Sequence, residues 1–204
     1  MDQADEPQLI QRVREGDTGA LGTLMGRYGD RVYRLAYGIT RNEPDAEEVV
    51  QDVFLTLFRK IEGFEGRAAL GSWIYRVTTN AALIKRRGKR AQVEVPIEDL
   101  LPQFLADGHR QGTLAWLMAD WSQTPDKYLL AQENRDLLEQ GLNNLPEHYR
   151  AVLVLRDVEG LSNEAAAEAL GESVPTVKSR LHRARMALRE LLSKDLFWPE
   201  VARA

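Results

Sequence analysis

The sequence has no cysteine among its 204 residues, and its three histidines, His109, His148 and His182, are scattered along the chain. The missing cysteines exclude a disulfide framework and a thiolate zinc site, and the histidines do not have the spacing of metal ligands. We therefore expect neither a metal nor another cofactor.

Long apolar runs are also missing. No stretch approaches the roughly 20 apolar residues that cross a bilayer, and the opening residues MDQADEPQ lack the basic and apolar regions of a signal peptide. We therefore expect a cytoplasmic protein with no segment inserted in a membrane.

The sequence also lacks a net positive charge, since its formal net charge is -4. Bulk attraction to DNA is thereby excluded, because binding to phosphates needs clustered Lys and Arg. Two local clusters do exist. They are the run at 85–90 and the set Lys178, Arg180, Arg183, Arg185 and Arg189.

Helical periodicity, by contrast, extends through most of the chain and predicts an all-α protein of two small domains. The first domain, 1–92, contains four helices; Asp17 caps the second and Glu43-Pro44-Asp45 opens the third. The fourth is predicted to be capped by Ser72, with a buried line through Trp73, Val77, Ala81 and Ile84.

Residues 93–124 show weak periodicity and several prolines and glycines, which predicts a flexible linker. Its acidic and apolar side chains leave two interpretations open. The segment forms a short helix packed on one of the chain's own domains, or it docks on a partner.

The second domain, 125–204, ends in a helix-turn-helix. Ser162 caps one helix, Gly171 turns the chain and Ser173 caps a second, basic helix, which together are typical of DNA binding. Val177, Leu181 and Ala184 share a face that must turn to the core, so the basic residues lie outside. The candidate base contacts are Thr176, Lys178, Ser179, His182 and Arg183, and the candidate phosphate contacts are Arg180, Arg185 and Arg189.

These residues carry a family resemblance. The string TVKSRLHRAR at 176–185, preceded by Leu145-Pro146 and Leu161-Ser162, resembles the carboxy-terminal domain of bacterial extracytoplasmic-function sigma factors. The first half is similar to the same family at Arg27-Tyr28, at DAEEVVQDVF (45–54) and at Trp73-Ile74-Tyr75-Arg76 with Asn80.

The resemblance implies a subunit that binds core RNA polymerase, directs it to promoter DNA and has an anti-sigma factor as a partner. It implies that the helix at 45–58 binds the polymerase clamp, through Glu48, Gln51, Asp52 and Phe54. It also implies that the second domain reads the minus-35 duplex. The residues implied at the minus-10 element are Tyr75, Arg76, Asn80, Lys85, Arg86 and Arg87, with loop residues 64–70 forming part of a pocket for an extruded base.

Two departures from the family pattern affect the helix-turn-helix. Its first helix carries Ala165, Ala166 and Ala169 where related sequences have glutamate and bulky aliphatic residues, which predicts a thinner core. Pro175 stands where glycine is common and fits a first-turn position.

Two other classes of protein fit less well. A regulator that binds operators on its own, such as a response regulator, would need an αβ receiver, but the first half has no alternating strands. An enzyme would need a nucleophile and base pair, a glycine-rich phosphate loop or a metal set, and the sequence has none of these. The sequence therefore favours a transcription factor that is not an enzyme.

Overall fold

The computed structural model describes residues 6–64, 66, 69–88, 96–102 and 132–201. Within those ranges the chain forms helices and no strand, which confirms the all-α prediction. None of the described helices is long and apolar enough to cross a membrane. The helices are α1 (Glu6–Arg14), α2 (Thr18–Thr40), α3 (Glu43–Lys60), α4 (Leu70–Gly88), α5 (Gln132–Asn144), α6 (Glu147–Leu153), α7 (Asn163–Leu170) and α8 (Val174–Val201), with 3₁₀ turns at Ile61–Gly63 and Ile97–Leu100.

In the N-terminal half, α2, α3 and α4 pack on one another and α1 packs on α2. The Asp17 carboxylate accepts hydrogen bonds from the backbone N–H groups of Gly19 and Ala20, so the predicted cap of α2 is confirmed. The Asn42 side chain caps α3 in the same way, by accepting from the N–H of Asp45 at 3.0 Å. Between the two helices, Arg41 reverses the chain in the left-handed conformation with φ 53°.

The predictions for α4 were wrong in two respects. The helix begins at Leu70, so Ser72 lies inside it, and Ile84 of the predicted buried line is exposed. The buried line instead includes Ile74 and Thr78. Thr78 is fully buried because its hydroxyl donates to the Ile74 carbonyl at 2.8 Å, and a search for apolar side chains alone overlooks such a residue.

In the C-terminal half, α5, α6 and α7 surround the first half of α8. Arg150 of α6 is fully buried and donates to the carbonyls of Leu142 and Asn143 at the end of α5, at 3.1 and 3.4 Å. A guanidinium thus satisfies carbonyls that a helix end leaves without partners. Val154–Val158 continue α6 as a π-helical turn.

The 3₁₀ turn Ile97–Leu100 packs on α8, and Ile97 and Leu100 are both buried there. For this part of the predicted linker the first interpretation, packing on the chain's own domain, agrees with the structure. The remaining linker residues 103–124, the helix start near Pro125, loop residues 65, 67 and 68, and the end of the basic run at 89–90 lie outside the described residues.

One hydrophobic cluster extends across the two halves, and a second lies within the C-terminal half and the 3₁₀ turn docked on it. Helix α7 packs against α4 as well as α8, and Ala166, Ala167 and Ala169 are buried in the cluster that also contains the core of α2 and α3. Small side chains allow helix axes to approach closely. The alanines that predicted a thin core therefore lie in the helix that packs between the two halves.

Candidate nucleic-acid interface

The outward face of α8 presents the predicted base-reading side chains. Ser162 caps α7 by accepting from the N–H of Ala165, Gly171 turns the chain at φ 66°, and Ser173 caps α8 by accepting from the N–H of Thr176 at 3.3 Å. These features confirm the predicted local structure. Since Val177, Leu181, Ala184 and Ala187 are buried, the opposite face is exposed and carries Lys178, Ser179, His182 and Arg183.

Two of the predicted phosphate contacts on α8 are already bound by carboxylates. Arg185 makes a bidentate pair with Asp157, with Nε and Nη2 donating at 2.9 and 2.6 Å, and Asp157 raises the pKa of the guanidinium. Arg180 pairs with Glu172 at 3.3 Å. The Asp157 pair links α8 to the end of α6, so Arg185 also fixes the position of the reading helix.

The predicted basic run at the end of α4 divides into inward and outward side chains. The Lys85 ammonium pairs with Glu48 of α3, which raises the pKa of the lysine. Arg86 donates to the Thr40 carbonyl at 3.2 Å, at the end of α2. Arg87 is the exposed member, and it shares the outward face of α4 with Arg76 and Asn80.

Tyr75, another residue assigned to the minus-10 element, faces the C-terminal half. Its hydroxyl donates to Oε2 of Glu159 at 3.2 Å, while Arg34 Nε lies 3.6 Å from Oε1 of the same carboxylate. The Glu159 side chain is only 4% exposed. Burial, followed by the charge of Glu159, raises the pKa of the Tyr75 hydroxyl.

Further polar contacts join the halves at the ends of α2 and α4. Arg87 Nε lies 3.4 Å from Glu147 Oε1, and Arg87 Nη2 lies 3.3 Å from His148 Nε2. Arg41 pairs with Glu139 at 3.2 Å. Burial lowers the pKa of His148, and the nearby Arg180 and Arg87 lower it further, against the opposing effect of Glu147.

An apolar close approach lies beside these contacts. Gly38 of α2 packs directly on Val154, and a Cβ atom at position 38 would lie 2.8 Å from Val154 Cγ1. We call this set of contacts between the halves the interdomain seam. It comprises Gly38 on Val154, Tyr75 and Arg34 on Glu159, Arg87 on Glu147 and His148, and Arg41 on Glu139.

A cavity of about 360 Å³ lies between α1 and the loop that precedes α4. Its lining includes Glu6, Ile10, Arg14 and Phe64. Arg14 donates to the carbonyls of Ile61 and Phe64, which holds the loop against α1. Arg14 thereby anchors the start of the loop that was predicted to form part of the base pocket.

The exposed face of α3 is both acidic and apolar. Glu48, Gln51 and Asp52 are exposed as predicted, whereas Phe54 lies in the core at 3% exposure. Leu55 and Phe58 follow on the same side at 51% and 39% exposure. Sequence periodicity did not single out these two residues. The signal that places them on that face is helical spacing, since Leu55 follows Asp52 and Gln51 by three and four residues and Phe58 follows Leu55 by three.

Both halves of the chain match known protein families. Residues 24–92 match Sigma-70 region 2, and residues 135–188 match Sigma-70, region 4. The chain is 35% identical over 192 residues to the ECF RNA polymerase sigma factor SigE of Mycolicibacterium smegmatis, which is 88% of this chain and 65% of that protein. It is also 35% identical over 187 residues to the ECF RNA polymerase sigma-E factor of Haemophilus influenzae, which is 90% of this chain and 93% of that protein.

A solved structure is similar in fold as well as in sequence. It is CnrH in complex with the cytosolic domain of CnrY, which matches with a TM-score of 0.62 and 26% identity over 92% of this chain and 96% of that chain.

Proposed function

Because the chain belongs to the extracytoplasmic-function sigma factors of the sigma-70 family, we propose that it reads promoters with α8 and α4 and holds core RNA polymerase with α3. As a sigma factor it binds core RNA polymerase and directs it to promoter DNA. The observation that carries the assignment of residues is that α8 and α4 expose cationic and polar faces, whereas α3 exposes an acidic and apolar one.

At the minus-35 element, the first turns of α8 enter the major groove. Lys178, Ser179, His182 and Arg183 are exposed there and carry the donors and acceptors that base edges require. Thr176, which is less exposed, begins this face. Arg180 and Arg185, which are held by carboxylates, contact the phosphates beside it.

At the minus-10 element, the outward face of α4 binds the strand that is opened. Arg76, Asn80 and Arg87 supply charge and hydrogen bonds to it, while Lys85 and Arg86 hold α4 against α3 and α2. The cavity beside Phe64 takes an extruded base, since its volume lies within the range of small-molecule sites.

Core polymerase binds the exposed face of α3. Leu55 and Phe58 provide apolar anchors, and Glu48, Gln51 and Asp52 provide a polar surround. Aromatic and aliphatic anchors at the centre of a polar rim are typical of protein interfaces.

The closed arrangement of the two halves is the state of the free chain. The two promoter elements lie about 25 base pairs apart, which is about 85 Å at 3.4 Å per base pair. Helices α4 and α7 are in contact, so the two halves must separate before both elements can be bound. The seam also occupies Tyr75 and Arg87. Polymerase therefore has to separate the two halves before the DNA-reading faces of the chain are free to bind DNA.

The tether between the halves depends on the 3₁₀ turn at Ile97–Leu100. While that turn is docked on α8, only residues 89–95 connect α4 to the C-terminal half, and seven residues span at most about 25 Å. Release of the turn from α8 removes this limit on the distance between α4 and the C-terminal half. The turn therefore leaves α8 when the chain opens.

We also propose that the protein acts in the cytoplasm and is controlled by an anti-sigma factor. The similar CnrH was solved in complex with the cytosolic domain of CnrY, which supports a protein partner of this kind.

Run-off transcription with core polymerase tests the function. We expect promoter-specific transcripts that depend on the chain. Arg183→Ala should lower promoter binding and leave polymerase binding unchanged, while Leu55→Asp should lower polymerase binding at least tenfold. Met25→Asp, at a similarly exposed apolar residue of α2, is the control and should change neither.

Two results would contradict the proposal. One is tight binding of the free chain to an operator, with no transcript from any genomic template. The other is equal loss of polymerase binding in Leu55→Asp and Met25→Asp, which would remove α3 from that interface.

A further inference from the structure

An isolated isoleucine lies on the DNA-facing side of α4. Ile84 is 67% exposed, more than the other exposed large apolar side chains in the described ranges, among them Val158 at 60% and Leu55 at 51%. Sequence periodicity placed it in the core, and the structure places it on the opposite face.

The neighbours of Ile84 along that face are polar or cationic. Asn80 and Arg76 lie one and two turns before it, Arg87 lies one turn after it, and all three are exposed. At about 100° per residue the four positions fall within an arc of about 80°. One ligand lying along this face would therefore touch all four side chains.

The charge of α4 indicates which kind of ligand binds along its outward face. None of its 19 residues is Asp or Glu, while its outward face carries Arg76 and Arg87. An acidic polymer suits such a face. Since Ile84 has no polar group to offer, it has to meet an apolar part of that polymer.

Among the base edges of DNA, thymine alone carries an apolar substituent, its 5-methyl group. We propose that Ile84 is a specificity-determining residue that packs on the 5-methyl group of one thymine in the minus-10 element. Asn80, Arg76 and Arg87 hold the strand so that this methyl group reaches the isoleucine. The inference rests on the proposed binding of the minus-10 element by α4.

Replacement of thymine by deoxyuridine removes the methyl group and leaves base pairing intact. Promoters carrying this change at one minus-10 position at a time would be tested with core polymerase and the full chain, and the fraction of open complex measured at equilibrium. With the wild-type chain we expect one position at which the change lowers open-complex formation about fourfold, the contribution of one buried methyl group. With Ile84→Ala that position should become insensitive to the change.

Two controls separate this contact from other effects. Ile84→Val keeps a branched side chain and should retain most of the sensitivity to the methyl group. Met25→Ala removes an exposed apolar side chain elsewhere and should respond to deoxyuridine as the wild-type chain does. Ile84→Ala should fold normally, because exposed side chains contribute little to stability.

Several outcomes would overturn the inference. Equal loss of opening by Ile84→Ala on thymine and deoxyuridine templates would make the side chain a wedge between bases or a contact to polymerase. Sensitivity to deoxyuridine that survives in Ile84→Ala would assign the methyl contact to another residue. If the wild-type chain formed no promoter-specific complex at all, the proposed function would fail and the inference with it.

Discussion

Replacement of Gly38 by alanine adds one methyl group where α2 packs on Val154. The new Cβ atom would lie 2.8 Å from Val154 Cγ1 and 3.2 Å from Cγ2. Carbon atoms pack at about 3.5–4.0 Å, so the two sides have to move apart by about 0.7 Å or more. Val154 is itself buried in the shared core, so its side chain has little space into which to turn.

The substitution stabilises α2 as a helix but destabilises the closed arrangement of the two halves. Alanine is favoured over glycine inside a helix by about 1 kcal/mol, so α2 on its own becomes more stable. Overpacking of a well-packed core costs about 1–3 kcal/mol, and that cost falls on the closed arrangement alone. A shift of about 2 kcal/mol changes the ratio of closed to open molecules by a factor of about 30.

Fluorescence resonance energy transfer between dyes on the two halves measures the ratio of closed to open molecules. Because the chain contains no cysteine, dyes can be placed selectively at Thr23→Cys in α2 and Glu168→Cys in α7, both at exposed positions. Gly38→Ala should lower the transfer efficiency. Gly26→Ala is the matched control, because Gly26 also lies in α2 and a Cβ there would meet nothing within 4 Å.

A second variant tests the cause. Val154→Ala removes the two methyl groups nearest to the new Cβ and leaves its own Cβ 3.6 Å away. Combined with Gly38→Ala, it should recover most of the closed population. If Gly38→Ala stayed as closed as Gly26→Ala, the close approach at Gly38 would not control the seam and this reasoning would be refuted.

The remaining predictions concern the docked turn and pH. Leu100→Ala should lower the free energy of unfolding by about 2 kcal/mol, near the lower limit for a buried leucine, because it opens a gap against α8. Denaturation in urea measures this change. An unchanged midpoint of denaturation would mean that the turn is not docked on α8. In the closed form burial lowers the pKa of His148, and Arg180 and Arg87 lower it further against Glu147 and Glu172; of these four groups only Arg87 belongs to the other half. Opening removes the Arg87 charge, so His148 of the open form binds a proton at higher pH than His148 of the closed form. Closure should therefore weaken as the pH falls between the pKa values of the two forms. Fluorescence transfer followed against pH measures it, and His148→Gln should remove this part of the pH dependence.

Local signals in the sequence predicted local structure well. Asp17, Ser162 and Ser173 cap the helices that they were predicted to cap, because a cap depends on residues two or three positions away. The exposed face of α8 followed from helical periodicity alone.

Predictions failed where a polar residue was buried or an apolar one was left exposed. Thr78 occupies the core of α4 because its hydroxyl bonds to its own helix, and Ile84 faces outward although it is apolar. Trp73, Val77 and Ala81 of the predicted line do pack on the core, so the periodicity of apolar residues failed only at its last member and at the buried threonine.

The interdomain seam was beyond sequence reasoning for a different reason. Tyr75 and Glu159 are 84 positions apart, and neither residue carries a local sign that the other is its partner. Nothing in the sequence around Gly38 indicates that Val154 packs directly against it. A single sequence contains no record of such contacts between distant segments.

In the proposed mechanism the free chain is closed and polymerase opens it onto promoter DNA. The same dye pair at Thr23→Cys and Glu168→Cys tests this directly when transfer is compared for the free chain, for the chain with core polymerase, and for that complex with promoter DNA. We expect high transfer in the free chain and low transfer in both complexes, since the promoter elements are about 85 Å apart. High transfer that persists in a promoter complex active in transcription would mean that the chain initiates transcription while closed, and the proposed opening would be wrong.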